Sequence, residues 1–196
     1  MVALDVTQSA SFAAFSEQVA RTLRDRFGRE RFDYLVNNAG LGIRVAFAET
    51  TEEQFDELVA MHLRAPVFLT QKLLPIIEDG GRILNVTSGL ARFTTPGFSV
   101  YAAMKGALDV LTRYMAMELG ARRIRVNAIA PGATATDFSG GAVRDNEEIG
   151  RMVAQSIALG RVGQPDDIGS AVAAILSDDF GWATGTSFEI SGGQSL

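Results

Sequence analysis

The sequence predicts an α/β fold in three layers: a doubly wound, mostly parallel sheet with helices on both faces. Short apolar runs such as Ile83-Leu84-Asn85-Val86 and Arg125-Val126-Asn127-Ala128-Ile129 alternate with longer segments whose apolar residues recur at helical spacing. The short runs are apolar on both faces, as strands covered from two sides must be. No internal repeat and no linker divides the 196 residues, so 1–196 reads as one domain.

Val2-Ala3-Leu4-Asp5-Val6 reads as a short buried strand. From Ser9 to Phe27 the residues Phe12, Phe15, Val19 and Leu23 mark a helix, with Gly28 as its stop. Phe32–Val36 reads as the next strand. Thr50-Thr51-Glu52-Glu53 reads as a capping box, opening a long helix through Phe55, Leu58, Val59, Leu63 and Leu69, with Pro66 expected to kink it. Gly80-Gly81 is expected to break the chain before a strand at Ile83–Val86. A helix over Ser99–Leu119 and a strand at Arg125–Ile129 follow, closed by Pro131-Gly132. The stretch 132–146 reads as a mobile loop. Helices near 147–158 and 165–177 precede a last strand at Ser187–Ile190.

Composition narrows the function. A net charge of −5 without a Lys/Arg run argues against nucleic acid as a partner. No cysteine and a single histidine, His62, leave no thiolate chemistry and make a metal site improbable. Asp5 stands where a secretory leader would be basic, and no apolar run approaches a membrane span. A cytoplasmic location without membrane contact is expected.

Tyr101 and Lys105, at i and i+4 on the Ser99–Leu119 helix, place a phenol and an ammonium on one side of it. A phenol with an ordinary pKa near 10 is a poor acid–base group at neutral pH, and a nearby cation is expected to lower it. Ser88 follows the strand ending Asn85-Val86-Thr87, which puts a hydroxyl at the carboxyl edge of the sheet, where open α/β folds bind ligands. Taken singly, the pair reads equally as a core tyrosine beside a surface lysine, and the serine as a turn residue.

Together with Asn37-Asn38-Ala39-Gly40 after a strand, Asn127 and Pro131-Gly132, Gly160-Arg161-Val162-Gly163-Gln164-Pro165 and Ser191-Gly192-Gly193, these residues resemble the short-chain dehydrogenases/reductases along the chain from Val2 onward. The resemblance implies a Rossmann-like fold and NAD- or NADP-dependent interconversion of a hydroxyl and a carbonyl. It implies that Tyr101 is the general acid/base, that Ser88 hydrogen-bonds the substrate oxygen, and that Lys105 assists Tyr101 and binds the nicotinamide ribose. Asp5 and Val6 would meet the adenine; Asn38, Ala39 and Gly40 would lie beside the adenosine ribose. Pro131, Gly132, Thr134 and Thr136 would seat the nicotinamide, and residues 137–158 would form a variable substrate lid. The family's pairing of two long helices implies a homodimer or homotetramer, here through Phe68, Leu69, Leu108, Leu111, Met115 and Met117.

Two positions depart from the pattern. His62 stands where the family has an asparagine in its proton relay; an imidazole can also donate and accept, or simply pack. The family's opening strand, glycine-rich turn and helix is not matched: Gly40-Leu41-Gly42 follows a strand, but Val45 occupies the third glycine's place. The fold is therefore expected to lack the family's first two strands, roughly 50 residues. Without them Val2–Val6 would either shift beside Phe32–Val36 or fray, and dinucleotide binding would be weak. Three readings stay open: an oxidoreductase, a non-catalytic interaction or scaffold protein of the same fold, and a fragment of a longer active enzyme. The substrate and the choice between NAD and NADP are not written in the residues.

Overall fold

The computed structural model describes all residues, Met1–Leu196. Strands β1 (Phe32–Asn37), β2 (Ile77–Val86), β3 (Arg125–Pro131) and β4 (Ser187–Ile190) form one parallel sheet in the order β1-β2-β3-β4. The helices are α1 (Phe12–Phe27), α2 (Glu52–Val59), α3 (Ala65–Leu73), α4 (Ser99–Leu119), α5 (Ala142–Asp145), α6 (Glu147–Ala154) and α7 (Pro165–Ile175).

Strand alternation sorts the core into layers. Ile83 and Val126 pack on Ala116 of α4, whereas Leu84 and Ile129 point the opposite way and pack on Ile175 of α7. A third cluster joins Phe12 of α1 to Ala65, Leu69 and Leu73 of α3. Burying each Val, Leu, Ile or Phe side chain among these contributes about 1.5–3 kcal/mol. A polar chain threads the apolar layer. Asn37 Nδ2 donates to Asn85 Oδ1 (2.8 Å) and to Thr70 Oγ1 (3.1 Å), and Asn85 Nδ2 donates to Thr112 Oγ1 (2.9 Å). It locks the carboxyl ends of β1 and β2 between α3 and α4, because a slipped register would orphan buried amides.

Several expectations need correction. Val2–Val6 forms no strand. No partner strand lies beside it to take its backbone hydrogen bonds, and only Leu4 and Val6 pack, against the Phe12 cluster. Of the two outcomes weighed for this segment, the structure shows no shift beside β1. The capping box is Thr51 with Gln54, one residue beyond the expected glutamate. The long helix is interrupted by a π-turn, Ala60–Arg64, rather than kinked at Pro66 itself. Pro66 has no N–H to give the His62 carbonyl, so the turn before it widens. Gly80-Gly81 does not break the chain but lies inside β2. Gly80 takes φ +81°, and a side chain on Gly81 would strike the Glu78 and Asp33 carbonyls, so the pair accommodates the irregular register of β1 and β2 near Phe32. Residues 132–146 include the helical turn α5, and the two later helices are shorter than expected, ending at Ala154 and Ile175.

Candidate active site

β2 is followed directly by Thr87, whose N–H and hydroxyl both bond the Ile129 carbonyl of β3 (2.8 and 3.1 Å). The next residue, Ser88, is thereby held at the carboxyl edge of the sheet, where its Oγ accepts from Leu90 N (3.2 Å). On α4, Tyr101, Lys105, Leu108 and Thr112 recur at helical spacing and are all buried, so the helix presents that stripe to the sheet. Lys105 Nζ donates to the Val86 carbonyl (2.7 Å) and lies 5.6 Å from the centre of the Tyr101 ring. The Ser88 side chain lies close enough to the Tyr101 hydroxyl to pull its pKa downward. Ser88, Tyr101 and Lys105 thus converge at one sheet edge.

Their electrostatics differ from the expectation. Burial pushes the Tyr101 phenol up to about 12, with Ser88 pulling weakly downward. Three aromatic rings surround it: His62 at 5.2 Å edge-on, Phe98 at 6.1 Å and Phe138 at 5.7 Å between centres. The Lys105 cation, engaged with Val86 O, does not offset that desolvation. Lys105 is itself lowered to about 8 by burial, with Asp109 opposing. Both groups are thereby biased toward their neutral forms, the result of taking them out of water.

His62 is fully buried in the π-turn. Its Nε2 lies 2.7 Å from the Leu41 carbonyl, which fixes the proton on Nε2, and Nδ1 meets no protein partner. Burial first and the Lys105 charge second hold the imidazole down to about 4. It is a neutral group across the physiological range.

The remaining residues that the sequence singles out fall at three places. Pro131 and Gly132 end β3, where Gly132 N bonds Ile190 O (3.1 Å) and Ala133 N bonds Gln194 Oε1 (2.8 Å). Any side chain on Gly132 would strike Ser191. Thr134 Oγ1 donates to the Gly132 carbonyl, and Thr136 Oγ1 accepts from Phe138 N. Asn38, Ala39 and Gly40 follow β1 and are exposed. Asp5 is also exposed; its carboxylate, lowered by hydrogen bonds from the Thr7 hydroxyl and N–H, caps a local turn, and neighbouring Val6 joins the α1–α3 core. No group of three or more His, Cys, Asp or Glu is placed to hold a metal ion, and no helix is long and apolar enough to cross a membrane.

Sequence reasoning missed the Leu41 carbonyl as the partner of His62 and the closeness of Gly42 to Phe138. A Cβ on Gly42 would lie 2.6 Å from Phe138 Cζ and 2.5 Å from Ser139 Oγ. The available signal is Gly42 itself, which in the sequence reads only as part of a glycine-rich turn.

A family model described as enoyl-(acyl carrier protein) reductase matches residues 1–195. An uncharacterized oxidoreductase of Methylorubrum extorquens is 36% identical over 194 residues, 98% of this chain and 75% of that protein. Human L-xylulose reductase is 36% identical over 164 residues, 82% of this chain and 67% of that enzyme. Among solved structures, an angucycline C-6 ketoreductase with bound NADP superposes with a TM-score of 0.91 at 37% identity, covering 98% of this chain and 74% of that one.

Proposed function

From the premise that this chain belongs to the short-chain dehydrogenase/reductase family, we propose that it interconverts a hydroxyl and a carbonyl with a nicotinamide dinucleotide, using Ser88, Tyr101 and Lys105. The observation that carries this reading is Tyr101, buried beside Ser88 on the same helical stripe as Lys105, whose Nζ lies 5.6 Å from its ring. A phenol held near 12 is fully protonated at neutral pH, the state required to protonate a developing alkoxide. Ser88 stands on the carbonyl side of that proton. As the proton leaves, the Lys105 ammonium stabilises the phenolate, an interaction stronger in the transition state than before it.

The cofactor, when bound, supplies or receives the hydride. Residues fit for its nicotinamide half are present: Lys105 and Tyr101 for the ribose, Pro131, Gly132, Thr134 and Thr136 for the ring. Asn38, Ala39, Gly40, Asp5 and Val6 are the residues available to its adenosine half. Within these 196 residues no strand leads through a glycine-rich turn into a helix, so the backbone donors that usually meet a pyrophosphate are not supplied by them. Two charge-assisted hydrogen bonds at about 1.5–3 kcal/mol each set against an association cost of at least about 4 kcal/mol leave at most about 2 kcal/mol, an affinity of tens of millimolar at best. Titration of NADH and NADPH fluorescence checks this, and micromolar binding by either would contradict it.

The reading itself is tested by following NADPH or NADH oxidation at millimolar cofactor with a panel of ketones. Turnover that falls by about 10²–10⁴ in Tyr101→Phe is expected for loss of the acid. Turnover unchanged in Tyr101→Phe would remove the assignment. No turnover with intact folding would favour the interaction-protein reading instead.

A further inference from the structure

Two loops of the site are fastened to one short segment, Ser191–Ser195, directly after β4. Ser88 caps the helical turn Gly89–Ala91, and Arg92 ends it. The Arg92 guanidinium reaches across to β4 and the segment beyond it. Nε and Nη2 donate to the two Glu189 carboxylate oxygens (2.6 and 2.8 Å), Nη2 also to the Gln194 carbonyl (2.6 Å), and Nη1 to the Ser195 carbonyl (3.1 Å). An exposed ion pair alone holds weakly in water. A fork on a carboxylate, with two backbone carbonyls on the same planar group, fixes orientation as well as distance.

Gln194 turns the other way and is 8% exposed. Its Oε1 accepts from the Ala133 N–H (2.8 Å), and its own N–H donates to Ser191 Oγ (3.2 Å). Gly132 is closed in by the same segment: a Cβ there would lie 2.7 Å from Ser191 Cα and 2.9 Å from Gln194 Oε1. On a third side the segment ties down the chain after α6. Gly192 and Gly193 carbonyls accept from Leu159 N (3.0 Å) and Ala158 N (3.2 Å), and Ser195 N donates to Ser156 O (2.8 Å). A side chain on Gly193 would strike Ala158.

We propose that Ser191–Ser195 is a positioning strap with Arg92 and Gln194 as its fastenings. Arg92 holds it to the turn that carries Ser88, and Gln194 holds it to the backbone of the Pro131–Thr136 loop. The group for the substrate oxygen and the seat for the nicotinamide thereby keep one separation. Both side chains are positioning residues, acting through the strap rather than on the reacting atoms. The roles of Ser88 and of the loop rest on the oxidoreductase reading; the mechanical link from Arg92 to Ala133 does not. Hydride transfer needs its reacting atoms held close, and a misplacement of about 1 Å costs on the order of 10²-fold in rate.

Amide hydrogen exchange at Ala133, followed by NMR, reads the strap without turnover. Arg92→Ala should speed it about tenfold or more, although Arg92 makes no hydrogen bond to Ala133. Gln194→Met, which keeps the length and removes the acceptor, should speed it at least as much. Gln194→Glu, which keeps an acceptor oxygen, should restore slow exchange. Adding Arg92→Ala to Gln194→Met should change the Ala133 rate little, because two fastenings of one strap are not additive. Amides of the β2–β3 ladder should keep native protection throughout. With NADPH or NADH and 1-tetralone, Arg92→Ala and Gln194→Met should lower kcat by roughly 10–10²-fold with a smaller change in ketone KM, and Gln194→Glu should stay near native.

Native Ala133 exchange in Arg92→Ala, or additive effects in the double variant, would overturn the strap. Faster Ala133 exchange with kcat unchanged would overturn its positioning role. Faster exchange across the β2–β3 ladder in Arg92→Ala would show general unfolding. Arg92→Lys, which keeps a charge beside Glu189 and loses the fork, then decides: Ala133 exchange no faster than native in that variant would overturn the proposal. Exchange as expected in a native protein that reduces no ketone would leave the strap standing while the oxidoreductase reading fails.

Discussion

His62 is the only histidine, so its ionisation can be read without overlap. The imidazole sits near 4 in the native protein against an ordinary 6.5. As pH falls through 6.5 the unfolded chain takes up a proton that the native ring refuses until about 4. The stabilisation is thus fully present above 6.5 and lost as pH falls from 6.5 to 4, up to about 3 kcal/mol. Urea unfolding at pH 7 and pH 4.5 should therefore show a steeper acid loss for the native sequence than for His62→Gln. Equal slopes would mean that the ring is accessible to protons. Lys105 acts with the same sign in another window: held near 8, it adds a gain in stability as pH rises from 8 toward 10.5. The sequence singled out both residues, but it suggested that Lys105 would lower the Tyr101 phenol. Burial under Phe98, Phe138 and His62 sets the opposite direction, and the last two reach Tyr101 from segments far apart in the chain.

Elements whose cause is local were legible: the Gly28 stop of α1 in the left-handed region, the capped start of α2 to within one residue, and α4 from Ser99 to Leu119 all follow from nearby residues. Elements whose cause is a neighbour were not. Val2–Val6 has strand-like residues but no strand to pair with, and β2 starts at Ile77 because β1 pairs with it across Gly80-Gly81 despite the glycines. The π-turn at Ala60–Arg64 was announced by Pro66, although its form was not. What keeps the amino-terminal region attached is Phe12, 1% exposed against Ala65, Leu69 and Leu73. Phe12→Ala should cost about 3–5 kcal/mol. By hydrogen exchange it should release α1 while β2 and β3 stay protected, and uniform loss of protection would show that α1 is integral to the central core.

Across the whole molecule two surfaces stand open. The outer edge of β1 has no neighbouring strand, and Tyr34 and Val36 on it are exposed. The helices α2, α3 and α4 expose Phe55, Phe68, Val110, Tyr114 and Met117. Of the residues expected on a pairing face, Leu69 and Leu108 prove to be buried within the chain, whereas Phe68 and Met117 are free. Self-association through these helices remains the expectation: sedimentation should give a dimer or tetramer at micromolar concentration, and Met117→Glu with Phe68→Glu should shift it toward monomer. A native monomer would contradict it. The carboxyl edge of the sheet was the most legible part of the molecule, since Ser88, Tyr101 and Lys105 each follow from a strand end or a helical spacing. The contact of Phe138 with Gly42 beside Tyr101 was not, because the two residues lie far apart in sequence and meet only in the fold.

The proposed chemistry is tested most directly by isotope transfer. The protein is incubated with millimolar NADPH or NADH deuterated at the transferable C4 position and with 1-tetralone, and the alcohol is examined by mass spectrometry. Deuterium on the carbinol carbon in the native protein, falling by about 10²–10⁴ in Tyr101→Phe, is the expected result. An alcohol without deuterium, no alcohol from a folded protein under any cofactor concentration, or equal yield from Tyr101→Phe would contradict it.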